Sequence, residues 1–206
     1  LARSGNADQA RTLLESVIKS FGDRPDESVD SELAARASYT LAEIEIEQGS
    51  LDNAATRLDT ASDHYRRLAE QPDASINFVF GLATSLSRHA EVLADLEKFS
   101  EAVPRLKEAE MLLTDRVVTS DNVDPRHAKQ LAVTRSQLSG VLQALNRETE
   151  AVKALEATII SLEALVQLVP DVTEFREDHA RALINMGQLQ HLLEDSATAA
   201  LYVEKG

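Results

Sequence analysis

An alanine returns four times along this 206-residue chain at nearly constant spacing, at Ala54, Ala102, Ala151 and Ala199, with intervals of 48, 49 and 48 residues. Each stands twelve residues after another small residue, Ala42, Ala90, Ser139 or Gly187. Self-similarity with a period of about 20 to 50 residues is the signature of stacked units, each burying its apolar face on the next. Three further columns keep the same register: Ala35, Ala83, Ala132 and Ala180; Ile44, Val92, Val141 and Leu189; and Leu58, Leu106, Leu155 and Val203. Pro-Asp pairs at Pro25-Asp26, Pro72-Asp73 and Pro170-Asp171 mark the joints, because proline drives the residue before it away from helical geometry. The remaining joint reads Asp121-Asn122-Val123-Asp124-Pro125.

Within a unit the apolar spacing is helical. Leu86, Ala90, Leu93 and Leu96, then Leu138, Val141, Leu142 and Leu145, follow the three-and-four pattern of one buried face. Short breaks follow at Gln48-Gly49-Ser50, Glu97-Lys98, Leu145-Asn146-Arg147 and Glu194-Asp195. Ser50 or Asp52, Ser100, Asn146 and Asp195 are the candidate side-chain caps for the second helix of each unit. Pro104 is expected in the first turn of its helix, where a missing amide costs least. Two antiparallel helices joined by a tight turn approach closely only where their facing residues are small. Ala42 is therefore expected to meet Ala54, Ala90 to meet Ala102, Ser139 to meet Ala151, and Gly187 to meet Ala199. The predicted units are a half repeat over 1–24, repeats over 25–71, 72–120 and 121–169, and a truncated repeat over 170–206.

These columns resemble the tetratricopeptide repeat (TPR) family, which pairs a Gly or Ala in the first helix of a unit with an Ala twelve residues later. The resemblance implies an all-α, right-handed superhelical solenoid of antiparallel helix pairs, with the first helix of each unit lining a concave, protein-binding wall. The period of about 48 exceeds the usual unit of about 34 residues, enough for roughly two further turns in each helix. The stretch from Pro170 through Phe175 and Arg176, continuing Ala180-Arg181-Ala182-Leu183-Ile184-Asn185-Met186-Gly187, is similar to the repeat arrays of large bacterial Ser/Thr protein kinases of planctomycete type.

The net charge is -14, from 35 acidic and 21 basic residues. That argues against nucleic acid and anionic membranes, whose recognition needs clustered Lys and Arg. No cysteine is present to form disulfides or thiolate metal sites. No apolar run reaches the ~18 residues that cross a membrane, and a cytoplasmic location is expected. His64, His89, His127, His179 and His191 show no close metal-ligand spacing; His89 shares a column with Leu41, Leu138 and Met186 and reads as a packed, hydrogen-bonded residue. Glu43, Glu45 and Glu47 alternate along a helix and so point in different directions. No nucleophile, phosphate-binding loop or kinase motif accompanies them, and neither enzymatic activity nor a metal or cofactor is expected. Both ends look cut, so the chain reads as part of a longer protein able to dimerise through exposed repeat ends.

The expected wall carries Glu43, Glu47, Glu91 and Asp95 at its acidic end. Gly140, Ala144, Gln188 and Leu192 occupy the same positions further along, with Arg36, Tyr39, Ser87, Ser136, Arg181, Ile184 and His191 as additional wall residues. An acidic stretch followed by a neutral one suits a peptide with a basic segment and hydrophobic anchors. The function read from the sequence is a non-catalytic protein- or peptide-binding scaffold. The alternatives are a spacer or self-association module, and a regulatory arm of a Ser/Thr kinase.

Overall fold

The computed structural model describes residues 2–21, 28–118 and 123–193, with side chains over 9–21, 29–116 and 123–193. Among these residues every regular element is an α-helix: α1 (Ala2–Phe21), α2 (Ser28–Glu47), α3 (Leu51–Ala69), α4 (Ile76–Asp95), α5 (Phe99–Val118), α6 (Pro125–Ala144), α7 (Glu148–Leu168) and α8 (Thr173–Leu192). The chain divides into two compact units, residues 1–112 and 113–206. Within the first, α1, α2, α3 and α4 pack in succession, and within the second α6, α7 and α8 do so. The expected all-α class of TPR-like antiparallel helix pairs is the one observed. The extra residues of the long period sit in the helices: α2 and α3 have 20 and 19 residues, so each is about 30 Å long at 1.5 Å per residue.

The turn inside each pair is closed by backbone alone. Gly49, Glu97 and Asn146 adopt φ of 74°, 58° and 53°. The following amides of Ser50, Lys98 and Arg147 donate to the carbonyls of Glu45, Leu93 and Leu142 at 2.8, 2.8 and 2.9 Å. The amides of Gly49, Glu97 and Asn146 donate to Ile46, Ala94 and Gln143, each at 2.9 Å. This double bond around a left-handed residue is the Schellman stop, made three times. It replaces the side-chain caps expected from the sequence. A side-chain cap needs an extended residue before the helix, whereas Ser50 and Arg147, with ψ of 61° and 58°, make no such bond. Asn146 ends one helix rather than opening the next, Asp52 and Ser100 lie inside α3 and α5, and Asp195 falls outside the described residues.

Side-chain caps occur instead at two of the joints between pairs, while Val172 before α8 makes none. The Ser75 hydroxyl accepts from the Asn77 amide at 3.3 Å, and Asp124 accepts from the Arg126 amide at 2.8 Å with Pro125 opening α6. Pro72-Asp73 and Pro170-Asp171 lie in the joints as expected, and Pro25-Asp26 lies outside the described residues. Because α5 opens at Phe99, Pro104 stands in its second turn, not its first. The Ser100 carbonyl therefore lacks the amide donor four residues on.

Packing follows the small-residue columns. Ala42 and Ala54 are fully buried in one cluster with Leu58 and Val92, and Ala90 and Ala102 are likewise fully buried. Ser139 adds a bond to its contact, its hydroxyl donating to the Ala151 carbonyl at 2.9 Å. The partner expected for Gly187, Ala199, is outside the described residues. Gly81 has a different reason to be small. A Cβ built there would stand 2.6 Å from Cε1 of Tyr65, so the α3 aromatic ring rests directly on the α4 backbone.

Candidate protein-binding face

In the first unit two of the four carboxylates of the expected acidic wall, Glu43 and Glu91, are knit into a cluster. Glu43 on α2 and Glu91 on α4 occupy the same repeat position, each one residue past the small column. Arg88 of α4 joins them: its Nε and Nη2 donate to the two Glu43 oxygens at 2.8 and 2.9 Å, and its Nη1 lies 2.8 Å from Glu91 Oε2. A planar guanidinium matches a carboxylate in this two-pronged way, fixing orientation as well as charge. Hydrogen bonding to Glu43 is the largest cause raising the Arg88 pKa. Tyr39 lies beside it, its phenol pushed up to about 12, first by burial and then by the negative Glu43, to which it also hydrogen-bonds. Glu47 and Asp95, four residues beyond Glu43 and Glu91, are exposed and form no ion pair among the described residues.

The other wall candidates of this unit are less engaged. Arg36 is exposed, 3.9 Å from Glu32. Ser87, expected on the wall, is only 2% exposed; it is not a surface residue. Repeat spacing alone does not single out Arg88. The signal available for its role was Glu91 three residues on, on the same helix face.

In the second unit, Ser136 is half-buried on α6, while Gly140, Ala144, Gln188, His191 and Leu192 are exposed. Ile184 is 39% exposed, and Arg181 of α8 pairs with Asp178 at 2.9 Å. Between α6 and α8 lies a cavity of about 270 Å³ that includes Ser136, Gly140, Asn185, Gln188 and Leu192 in its lining. A neighbouring cavity of about 160 Å³ involves Lys129, Asp178 and Arg181, with Lys129 also paired to Glu174 at 2.6 Å. A third, apolar cavity of about 330 Å³ opens between α6 and α7 around Leu131, Ile160, Leu165 and Leu168.

His89 is the packed histidine expected from its column. It is 3% exposed, accepts from Arg105 Nε at 3.0 Å, and has its pKa held down to about 4, chiefly by burial and then by Arg105. Among the described residues no group of three or more His, Asp or Glu side chains is placed to hold a metal ion, and no helix is long and apolar enough to cross a membrane.

The fold so described is that of a TPR-like helical-repeat protein. The TPR-like repeats of a Podosopora anserina protein assigned to the kinesin light chains are similar to it, with a TM-score of 0.66 at 15% identity, covering 98% of this chain and 86% of that one. A structure of MamA is similar with a TM-score of 0.59 at 16% identity, covering 99% of this chain and 88% of that one. A second MamA structure gives 0.53 at 14% identity over 96% and 90%. No family model and no curated protein matches the sequence. At these identities the likeness is one of fold.

Proposed function

We propose that this chain is a non-catalytic scaffold that binds a protein or peptide on the exposed face of its first helices, and that the α2–α4 part of this face meets a basic segment of the partner. The TPR-like fold supports a static recognition surface, since helices already fixed by packing lose little freedom on binding. The observation that carries the charge preference is the pair Glu47 and Asp95, exposed and without ion-pair partners among the described residues, beside a cluster in which one arginine serves two carboxylates.

The test is affinity capture on the immobilised chain from a lysate of its source organism, against a Glu47→Lys/Asp95→Lys variant. Glu43 and Glu91 are left in place because they hold Arg88. A partner retained by the original and lost by the variant is expected. Capture of the same proteins by both, or of none by either, would overturn the basic-segment reading.

A further inference from the structure

The α2–α4 face of the first unit and the α6–α8 face of the second are built on one register, and the first is closed where the second is open. Ser139 lies 97 residues after Ala42, and Gly187 lies 97 residues after Ala90. The same offset carries Tyr39 onto Ser136, Glu43 onto Gly140, Arg88 onto Asn185 and Glu91 onto Gln188. In the first unit these side chains fill the seam, Arg88 bonding across it to Glu43 at 2.8 and 2.9 Å. In the second unit three of the counterparts are shorter, and the fourth, Gln188, keeps the length of Glu91 without its charge. Together they line the cavity of about 270 Å³. Gly140 is the one counterpart with no side chain at all. A Cβ added there meets no atom within 4 Å, so packing does not demand a glycine in mid-helix, where glycine is destabilising relative to alanine. It leaves the α6 backbone bare at the cavity wall, open to close approach by another main chain.

The lining chemistry narrows what can enter. No residue around this cavity is charged, so a charged group entering it would lose water without finding a counter-charge. A wholly apolar guest would strip water from the Asn185 and Gln188 amides without pairing them. Each of those amides offers both donors and an acceptor, the complement of a peptide group, and Leu189 and Leu192 supply apolar wall. We propose that this cavity is a subsite for an uncharged stretch of extended polypeptide: its main chain lies over Gly140, Asn185 and Gln188 hydrogen-bond it, and one uncharged side chain enters between α6 and α8. The proposal rests on the scaffold reading above and deepens it by naming what this part of the face accepts.

The experiment pans a phage library of random nonapeptides built only from uncharged residues on the full chain and titrates the selected peptides. One variant, Gly140→Leu, fills the cavity. A second, Ser136→Tyr/Gly140→Glu/Asn185→Arg/Gln188→Glu, rebuilds the bridge of the first unit. Selected peptides are expected to shift the Gly140 amide and the Asn185 and Gln188 side-chain amide resonances. They should bind both closed variants about tenfold more weakly or worse and bind Glu47→Lys/Asp95→Lys unchanged. Gly140→Leu is expected to melt no lower than the original, so its loss of binding is not loss of fold. Failure of any peptide to enrich, or equal binding to Gly140→Leu, overturns the subsite. Should peptides bind here while the lysate capture fails, only the basic-segment reading falls; the reverse result removes only the subsite.

Discussion

Single positions in this chain differ in whether their side chain is wanted, tolerated or excluded. Gly81→Ala puts a methyl group 2.6 Å from the Tyr65 ring and is expected to cost about 1–3 kcal/mol as overpacking, read as a lower urea midpoint. Glu97, by contrast, holds a left-handed φ of 58° that suits glycine better. Glu97→Gly is expected to stabilise by about 1 kcal/mol and raise the Tm. At His89, burial and Arg105 hold the folded-state pKa near 4, whereas an unfolded histidine titrates near 6.5. Between those values the unfolded state binds more protons, so stability is full above pH 6.5 and declines toward pH 4, by on the order of 3 kcal/mol at most. The His64 pKa is also lowered, by burial and Arg67, and acts in the same direction. A urea series at pH 7 and pH 5 is expected to show the loss, and His89→Gln, which cannot take up the proton, to reduce it.

At the scale of the element, the sequence announces helices better than it announces how they end. The alanine columns and the three-and-four spacing located the helices because both report burial, and burial follows position on a packed face. Breaks at Glu97-Lys98 and Leu145-Asn146-Arg147 are legible in the sequence, but the left-handed backbone that makes them is held by bonds to Leu93, Ala94, Leu142 and Gln143, which at Glu97 leave no side-chain pattern behind. Gly49 wears the usual sign of such a stop and Asn146 the next most common one. The Arg88 bridge was hidden for a related reason: its Glu43 partner lies on another helix, 45 residues away. Pro104, in the second turn of α5 and exposed, removes an amide that its turn could use. Pro104→Ala is expected to raise the Tm, by an increment below the ~3 kcal/mol cost of a fully interior proline.

For the molecule as a whole, the excess of 35 acidic over 21 basic residues sets how partners arrive. Surface charge acts over roughly a Debye length, about 10 Å at 0.1 M salt, and steers association more than it fixes final affinity. The association rate of a basic partner on the α2–α4 face is expected to fall between 50 and 500 mM salt in stopped-flow measurements, while peptides held by the uncharged α6–α8 cavity respond little. The contrast between those faces was partly legible, since Glu43 and Glu91 against Gly140 and Gln188 already differ in charge. The cavity was not, because a space between helices depends on Gly140 and Asn185 together and on neither alone.

The three backbone stops also determine where the chain can change length. From the start of the first helix to the start of the second is 23 residues in each pair, from Ser28 to Leu51, Ile76 to Phe99 and Pro125 to Glu148. From second helix to the next first helix it is 25, 26 and 25 residues, from Leu51 to Ile76, Phe99 to Pro125 and Glu148 to Thr173. The irregularity of the 48- and 49-residue period is thus absorbed outside the hairpin, whose turn admits one left-handed residue and no spare. An alanine inserted after Asn146 would rotate α7 by about 100° on its axis and turn Ala151 away from Ser139, whereas one inserted after Asp73 would only lengthen a joint. Growth and loss of sequence in such an array are therefore confined to every second connection.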